Sequence, residues 1–125
     1  MFSIRVEAEF AAAHFLSHYY GKCESLHGHN YRVRLWVRGN DLDEGGMLAD
    51  FGVLKQALRD VIAGLDHTNL NDIPAFNNDP SAERIALFVF KNLEDLLSRR
   101  GIDPAKLRAV DVFETPVNMA RYERS

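Results

Sequence analysis

Phe2-Ser3-Ile4-Arg5-Val6-Glu7-Ala8-Glu9-Phe10 alternates without a break, apolar at even positions and polar at odd ones. A period of two matches a strand that buries one face and wets the other. Tyr31-Arg32-Val33-Arg34-Leu35-Trp36-Val37-Arg38 repeats the pattern with the parity reversed. Here Tyr31, Val33, Leu35 and Val37 share one face, and Arg32, Arg34, Trp36 and Arg38 take the other. Gly39-Asn40-Asp41 and Glu44-Gly45-Gly46 then break the run with turn residues.

Working outward, the period lengthens after Asp50, which stands where an N-cap belongs. Phe51, Leu54, Leu58, Val61, Ile62 and Leu65 recur at helical spacing. Residues 71–79, with Pro74 and two adjacent asparagines, read as loop. A second helix is expected with Pro80 in its first turn. Ile85, Phe88, Val89, Leu93, Leu96 and Leu97 form its apolar face, and Gly101 closes it at C′. Residues 107–114 and 117–123 return to β-rich runs on either side of Thr115-Pro116. The order ββααββ predicts an α+β domain, an antiparallel four-stranded sheet with two helices packed on one face. With no repeat, linker or low-complexity tract, residues 1–125 are expected to form a single domain.

Composition sets the bounds. The chain of 125 residues is 46% apolar and 26% charged, as ordinary globular domains are. A net charge of −3 with scattered basic residues gives no reason to expect nucleic acid as a partner. One cysteine excludes an intrachain disulfide and suits a reducing compartment. No run approaches the ~20 apolar residues of a membrane span, and Met1–Glu7 lacks the apolar run of a signal peptide. A cytoplasmic location is expected.

Strand parity also places the histidines. The even face of the first strand, continued past Phe10, leads to Ala12 and His14. The odd face of the second, continued backwards from Tyr31, leads to His29 and His27. Residues i and i+2 on a strand point the same way, roughly 6.5–7 Å apart, so two imidazoles can converge on one cation and His14 can complete the cluster. Three neutral imidazoles with an open position make a catalytic zinc site. Each histidine alone is usually a polar edge residue; their shared parity, with Gly28 allowing close approach, is what raises the metal reading. Zinc is preferred to copper or iron because neither a carboxylate nor a second thiol is evident in the cluster. His18 has no such partner and reads as a loop histidine.

Cys23 precedes His27 by four positions. Near a cation, Lys22 and histidines its thiol would shift toward thiolate and could serve as a general base. It could equally be a fourth metal ligand or an inert filler. Asp66-His67 is either a cap at the end of the first helix or a pair in which the carboxylate orients the imidazole for proton exchange. Glu114 shares the face of Val110 and Val112. It is either solvated where the strand exits or held to accept paired N–H donors. Glu83 is explained by the helix dipole at the start of the second helix.

Phe10-Ala11-Ala12-Ala13-His14, Cys23-x-x-x-His27-Gly28-His29-Asn30-Tyr31, Asp50-Phe51, Leu65-Asp66-His67-x-x-Leu70-Asn71, Pro80-Ser81-x-Glu83 and Glu114-Thr115 occur in this order. Together they resemble the 6-pyruvoyl-tetrahydropterin synthase family over essentially the whole chain. The Cys-x3-His-Gly-His spacing is most similar to the bacterial branch, the 6-carboxytetrahydropterin synthases of queuosine (7-deazapurine) biosynthesis. The resemblance implies the tunnelling fold (T-fold), with subunits closing into a β-barrel, a homohexamer built from trimers, and active sites between subunits. It implies Zn2+ on His14, His27 and His29, Cys23 as the proton-abstracting group, and Asp66 with His67 as its relay. Glu114 matches the pterin anchor with a share in proton relay, and Ser81 and Glu83 match the substrate-binding loop.

The reaction implied is conversion of 7,8-dihydroneopterin triphosphate to 6-carboxy-5,6,7,8-tetrahydropterin with release of triphosphate and acetaldehyde. Alternatives are the 6-pyruvoyl product without carbon–carbon cleavage, or a non-catalytic zinc- or pterin-binding module. Ser81 stands where many members have Thr, which keeps the hydroxyl. Leu26 stands where a branch replacing a folate-pathway aldolase has glutamate, which argues against that branch. No glycine-rich phosphate loop is present.

Overall fold

The two alternating stretches become the longest strands, and both run further than their alternation does. The computed structural model describes Met1–Ser125. β1 spans Phe2–His14 and β2 spans His27–Gly39. They pair antiparallel from Phe2↔Gly39 to His14↔His27 without a register shift. Residues directly opposite in such a ladder share a face, so Val6 meets Leu35, Phe10 meets Tyr31 and His14 meets His27.

α1 (Phe51–Ile62) starts where expected, because the Asp50 carboxylate accepts the Gly52 and Val53 N–H groups at 2.6 and 3.3 Å. It stops at Ile62, short of Leu65, which is buried in the turn that follows. Phe51 is exposed rather than part of the buried face. α2 is Ala82–Arg99. Pro80 is not in its first turn: Ser81 is the N-cap, its hydroxyl accepting the Arg84 N–H at 3.2 Å, an acceptor role that proline cannot fill. Gly101 at φ +80° ends α2 as expected, with Ile102 donating to Leu97 and Gly101 to Ser98.

β4 (Leu107–Thr115) and β5 (Asn118–Glu123) complete the antiparallel part. The sheet nevertheless has five strands in the order β3-β1-β2-β4-β5 and is mixed. β3, Thr68–Asn69, pairs parallel with Ala12 and Ala13 of β1. Two residues carry no period, so nothing in the local sequence announces this strand. The expected loop at 71–79 likewise holds two short 3-10 turns, Leu70–Asp72 and Pro74–Phe76.

Both helices cover one face of the sheet. Their apolar sides, including Leu54, Leu58, Val89 and Leu93, meet Val33, Leu35 and Val110 in one core. The other face is polar and laced by ion pairs. Glu7 accepts from Arg34 at 2.7 Å, and that bond holds its carboxyl below the usual range. Asp111, only 2% exposed, takes both ends of the Arg121 guanidinium (2.6 and 3.1 Å) and the Trp36 indole N–H (2.8 Å). Three donors aimed at one buried carboxylate compensate the cost of taking it out of water.

Leu35 is fully buried at the centre of β2. Leu35→Ala should cost about 2–5 kcal/mol of stability, read as a lowered denaturation midpoint with an unchanged denaturant slope.

Candidate metal centre and active site

The uninterrupted β1–β2 ladder carries His14 and His27 to the same end of the sheet, and parity adds His29 beside them. Their ring centroids lie 4.7–5.0 Å apart. His14 is 1% exposed, and its Nδ1 lies 3.0 Å from the Pro80 carbonyl. A carbonyl only accepts, so Nδ1 donates, and in the neutral ring Nε2 is then a bare lone pair. The same reasoning holds for His27, whose Nδ1 donates to the Ser25 carbonyl at 2.8 Å. The two Nε2 atoms then face each other at 3.1 Å, acceptor against acceptor.

His29 Nε2 is buried without a hydrogen-bond partner. Glu114 Oε1 lies 3.0 Å from it and 3.7 Å from His14 Nε2, close but not aligned for a hydrogen bond. All four donor atoms lie within 4.8 Å of one another. Two nitrogens about 2.0–2.1 Å from a tetrahedral zinc would sit roughly 3.3 Å apart, near the 3.1 Å separation seen here. Two facing lone pairs, an unpartnered third imidazole nitrogen and a carboxylate are an arrangement that a divalent cation relieves. The residues present fit zinc.

One premise of the sequence reading fails here. A carboxylate does join the cluster: Glu114, expected as pterin anchor with a share in proton relay, is the fourth member of the group. Imidazole–carboxylate sets serve zinc, and they also serve other first-row metals. Burial lowers the His29 pKa, with the Glu114 charge opposing the shift, so this ring favours the neutral form a metal needs. Tyr31 forms the floor. It stacks on Phe10 (4.8 Å) and stands edge-on to His14 and His29 at 5.9 and 5.6 Å. Sequence periodicity reads Tyr31 only as a core residue; its place in the motif after His29 is the signal that could have found it.

Cys23 lies outside this group and is exposed. A closed centre of three histidines and this cysteine is therefore not what the chain builds. Asp66 and His67 lie beyond the end of α1, so they do not cap it. Asp66 Oδ1 instead accepts the Ala11 N–H at 2.9 Å, the bond that most lowers its pKa, while Oδ2 sits 3.0 Å from His67 Nδ1. The His67 N–H donates to the Ala11 carbonyl, and its φ of 57° is left-handed, a conformation tolerated where surrounding bonds over-determine it. The pair is thus oriented by β1, with the imidazole exposed. No cluster joins it to Cys23 within one chain.

Ser81 and Glu83 sit at the start of α2, the first as cap and the second in the first turn. A cavity of about 470 Å³ opens beside the histidines, lined by His29, Asn30, Arg32, Phe113 and Glu114 among others. A second cavity of about 460 Å³ has His29 and His67 in its wall.

Comparison with known proteins agrees with this geometry. The family profile described as 6-pyruvoyl tetrahydropterin synthase matches residues 3–125. A 6-carboxy-5,6,7,8-tetrahydropterin synthase of Synechocystis sp. is 40% identical, over 98% of this chain and 93% of that protein. A protein of the same name from Bacillus subtilis is 33% identical, over 97% of this chain and 84% of its own. Among solved structures, the Caenorhabditis elegans 6-pyruvoyl tetrahydropterin synthase superposes with a TM-score of 0.84 at 30% identity, covering 99% of this chain and 96% of that one. No helix is long and apolar enough to cross a membrane. With the fold, the histidine group and these matches in agreement, the chain belongs to the 6-pyruvoyl tetrahydropterin synthase family.

Proposed function

We propose that this protein is a zinc-dependent 6-carboxytetrahydropterin synthase, acting on 7,8-dihydroneopterin triphosphate in 7-deazapurine formation. The observation that carries the reading is the convergence of three imidazole Nε2 atoms, two of them held as bare lone pairs by backbone carbonyls. The names of the Synechocystis and Bacillus relatives support the 6-carboxy product over the 6-pyruvoyl one.

A zinc ion held by His14, His27 and His29 would supply Lewis acidity toward oxygens of the substrate side chain. Cys23 thiolate would take the proton from the neighbouring carbon and return it as the tautomer shifts. Asp66 would keep the proton of His67 on Nδ1, leaving Nε2 to exchange protons with the thiol. Glu114, in the wall of the cavity beside His29, would accept the paired N–H groups of the pyrimidine ring. Ser81 and Glu83 would border the same substrate from the start of α2. A working thiolate suits the reducing conditions of the cytoplasm.

Within one chain Cys23 forms no close group with Asp66 and His67. This supports assembly of the site between subunits, in a hexamer built from trimers through the open edges at β5 and β3.

Turnover of 7,8-dihydroneopterin triphosphate by zinc-loaded protein, with products identified by mass spectrometry, tests the reading. The expected products are the 6-carboxytetrahydropterin and acetaldehyde, and Cys23→Ala should lower the rate at least ~10²-fold with zinc retained. No turnover by folded, zinc-loaded wild type would sink the enzyme reading for this substrate.

Mixed assemblies of Cys23→Ala and His67→Ala subunits should regain part of the activity that each variant lacks. Failure of well-mixed assemblies to do so would return the whole relay to a single chain. Glu114→Gln should keep its metal and raise KM by about tenfold or more, the loss of one charge-assisted contact. Metal loss measured by elemental analysis would instead make Glu114 a fourth ligand.

A further inference from the structure

The segment between β1 and β2 carries Cys23, and it is more organised than a loop joining two strands needs to be. Leu16 and Glu24 bracket it: Glu24 N–H donates to the Leu16 carbonyl, and Leu16 N–H donates to Glu24 Oε1, both at 2.9 Å. Tyr19 and Lys22 exchange two backbone hydrogen bonds around Tyr20 (φ 50°) and Gly21 (φ 75°), two left-handed residues in the position of a tight hairpin turn. Cys23 follows Lys22 on the returning arm of this small hairpin. Ser25, two residues on, gives its carbonyl to His27 Nδ1.

One carboxylate far away in sequence grips the outgoing arm. Asp79 Oδ1 accepts the Ser17 N–H (2.6 Å), the Ser17 hydroxyl (2.8 Å) and the His18 N–H (3.2 Å). Its Oδ2 lies 2.7 Å from His18 Nδ1. Together these donors hold its pKa far below the usual carboxylate range. Asn71 makes a second tie nearby: its side chain bonds both the N–H and the carbonyl of Phe15, at 2.8 Å each, and reaches Asn78 on its other side. Asp79 is itself set by a turn in which Asn77 and Asn78 are both left-handed and its own N–H bonds the Phe76 carbonyl. The next residue, Pro80, gives its carbonyl to His14 Nδ1.

We propose that Asp79 is a positioning residue for the reaction, clamping the hairpin that presents Cys23 to the segment that orients His14. The proposal rests on the catalytic role assigned above to Cys23. Asp79 touches neither the metal group nor the substrate; it acts by restricting where the thiol can stand. An exposed hairpin held only by its own turn would sample many positions, and a misplacement of about 1 Å can cost on the order of 10²-fold in rate.

The chain has a single cysteine, so a nitroxide label on Cys23 reports hairpin motion with no background. Asp79→Ala should mobilise the label on the nanosecond scale. In the unlabelled protein it should lower kcat roughly 10- to 100-fold while KM stays within about threefold and metal content is unchanged. Asp79→Asn keeps an acceptor oxygen and should restore most of both readouts, which a general loss of folding would not allow. If Asp79→Ala does not fold, Ser17→Ala with His18→Ala removes the side-chain partners instead and should move the same quantities in the same direction. A label spectrum and kcat equal to wild type in a folded variant that lacks the clamp would overturn the proposal. The label spectrum is read whether or not the protein turns over the pterin, so a failed substrate assignment is not mistaken for a failed clamp.

Discussion

The antiparallel register of β1 on β2 is the constraint on which the rest depends. Because side chains alternate, a slip of one residue would turn a whole strand over. Val6 and Phe10 would leave the core, and His14 would leave the side of the sheet shared by His27 and His29. The apolar pairs Val6–Leu35 and Phe10–Tyr31 therefore do two jobs with one set of contacts. They drive the sheet against the helices, and they place three imidazoles at its end. Burial of the hydrophobic face and assembly of the histidine cluster are the same event.

That coupling explains why so much of the site was legible. Parity is local and periodic, so continuing it four residues past Phe10 and backwards from Tyr31 was enough to find His14, His29 and His27. Asp50 as a cap and Gly101 as a helix stop were legible for the same reason, since each acts on its immediate neighbours. The features that escaped are set by partners remote in sequence. Asp66 is held by Ala11 and Asp79 by Ser17, more than fifty residues away in each case, and β3 exists only because β1 is beside it. Glu114 was placed on the right face, but its approach to His29 depends on how β4 is drawn alongside β2. Proline in the first turn of α2 was the wrong inference, because a hydroxyl cap one residue later satisfied the helix better.

The two faces of the sheet divide the labour differently. The helix side is sealed by aliphatic and aromatic contacts and ends in the histidines. The other side holds its charges in register, Arg34 on Glu7 and Arg121 on Asp111, with Trp36 between the strands as both a hydrogen-bond donor and a ring under the Arg121 guanidinium at 5.6 Å. Paired in this way, the half-buried charges of this face are compensated within the chain.

Four residues other than glycine adopt left-handed backbone: Tyr20, His67, Asn77 and Asn78. All four belong to the segments that frame the site, and none lies in a long strand or helix. Glycine would be the more comfortable occupant at each. A search for thermostability would therefore be drawn first to these positions, where glycine would relieve the left-handed strain and also free the backbone it enters. In this domain relief of strain and rigidity of the turns compete for the same few backbone angles.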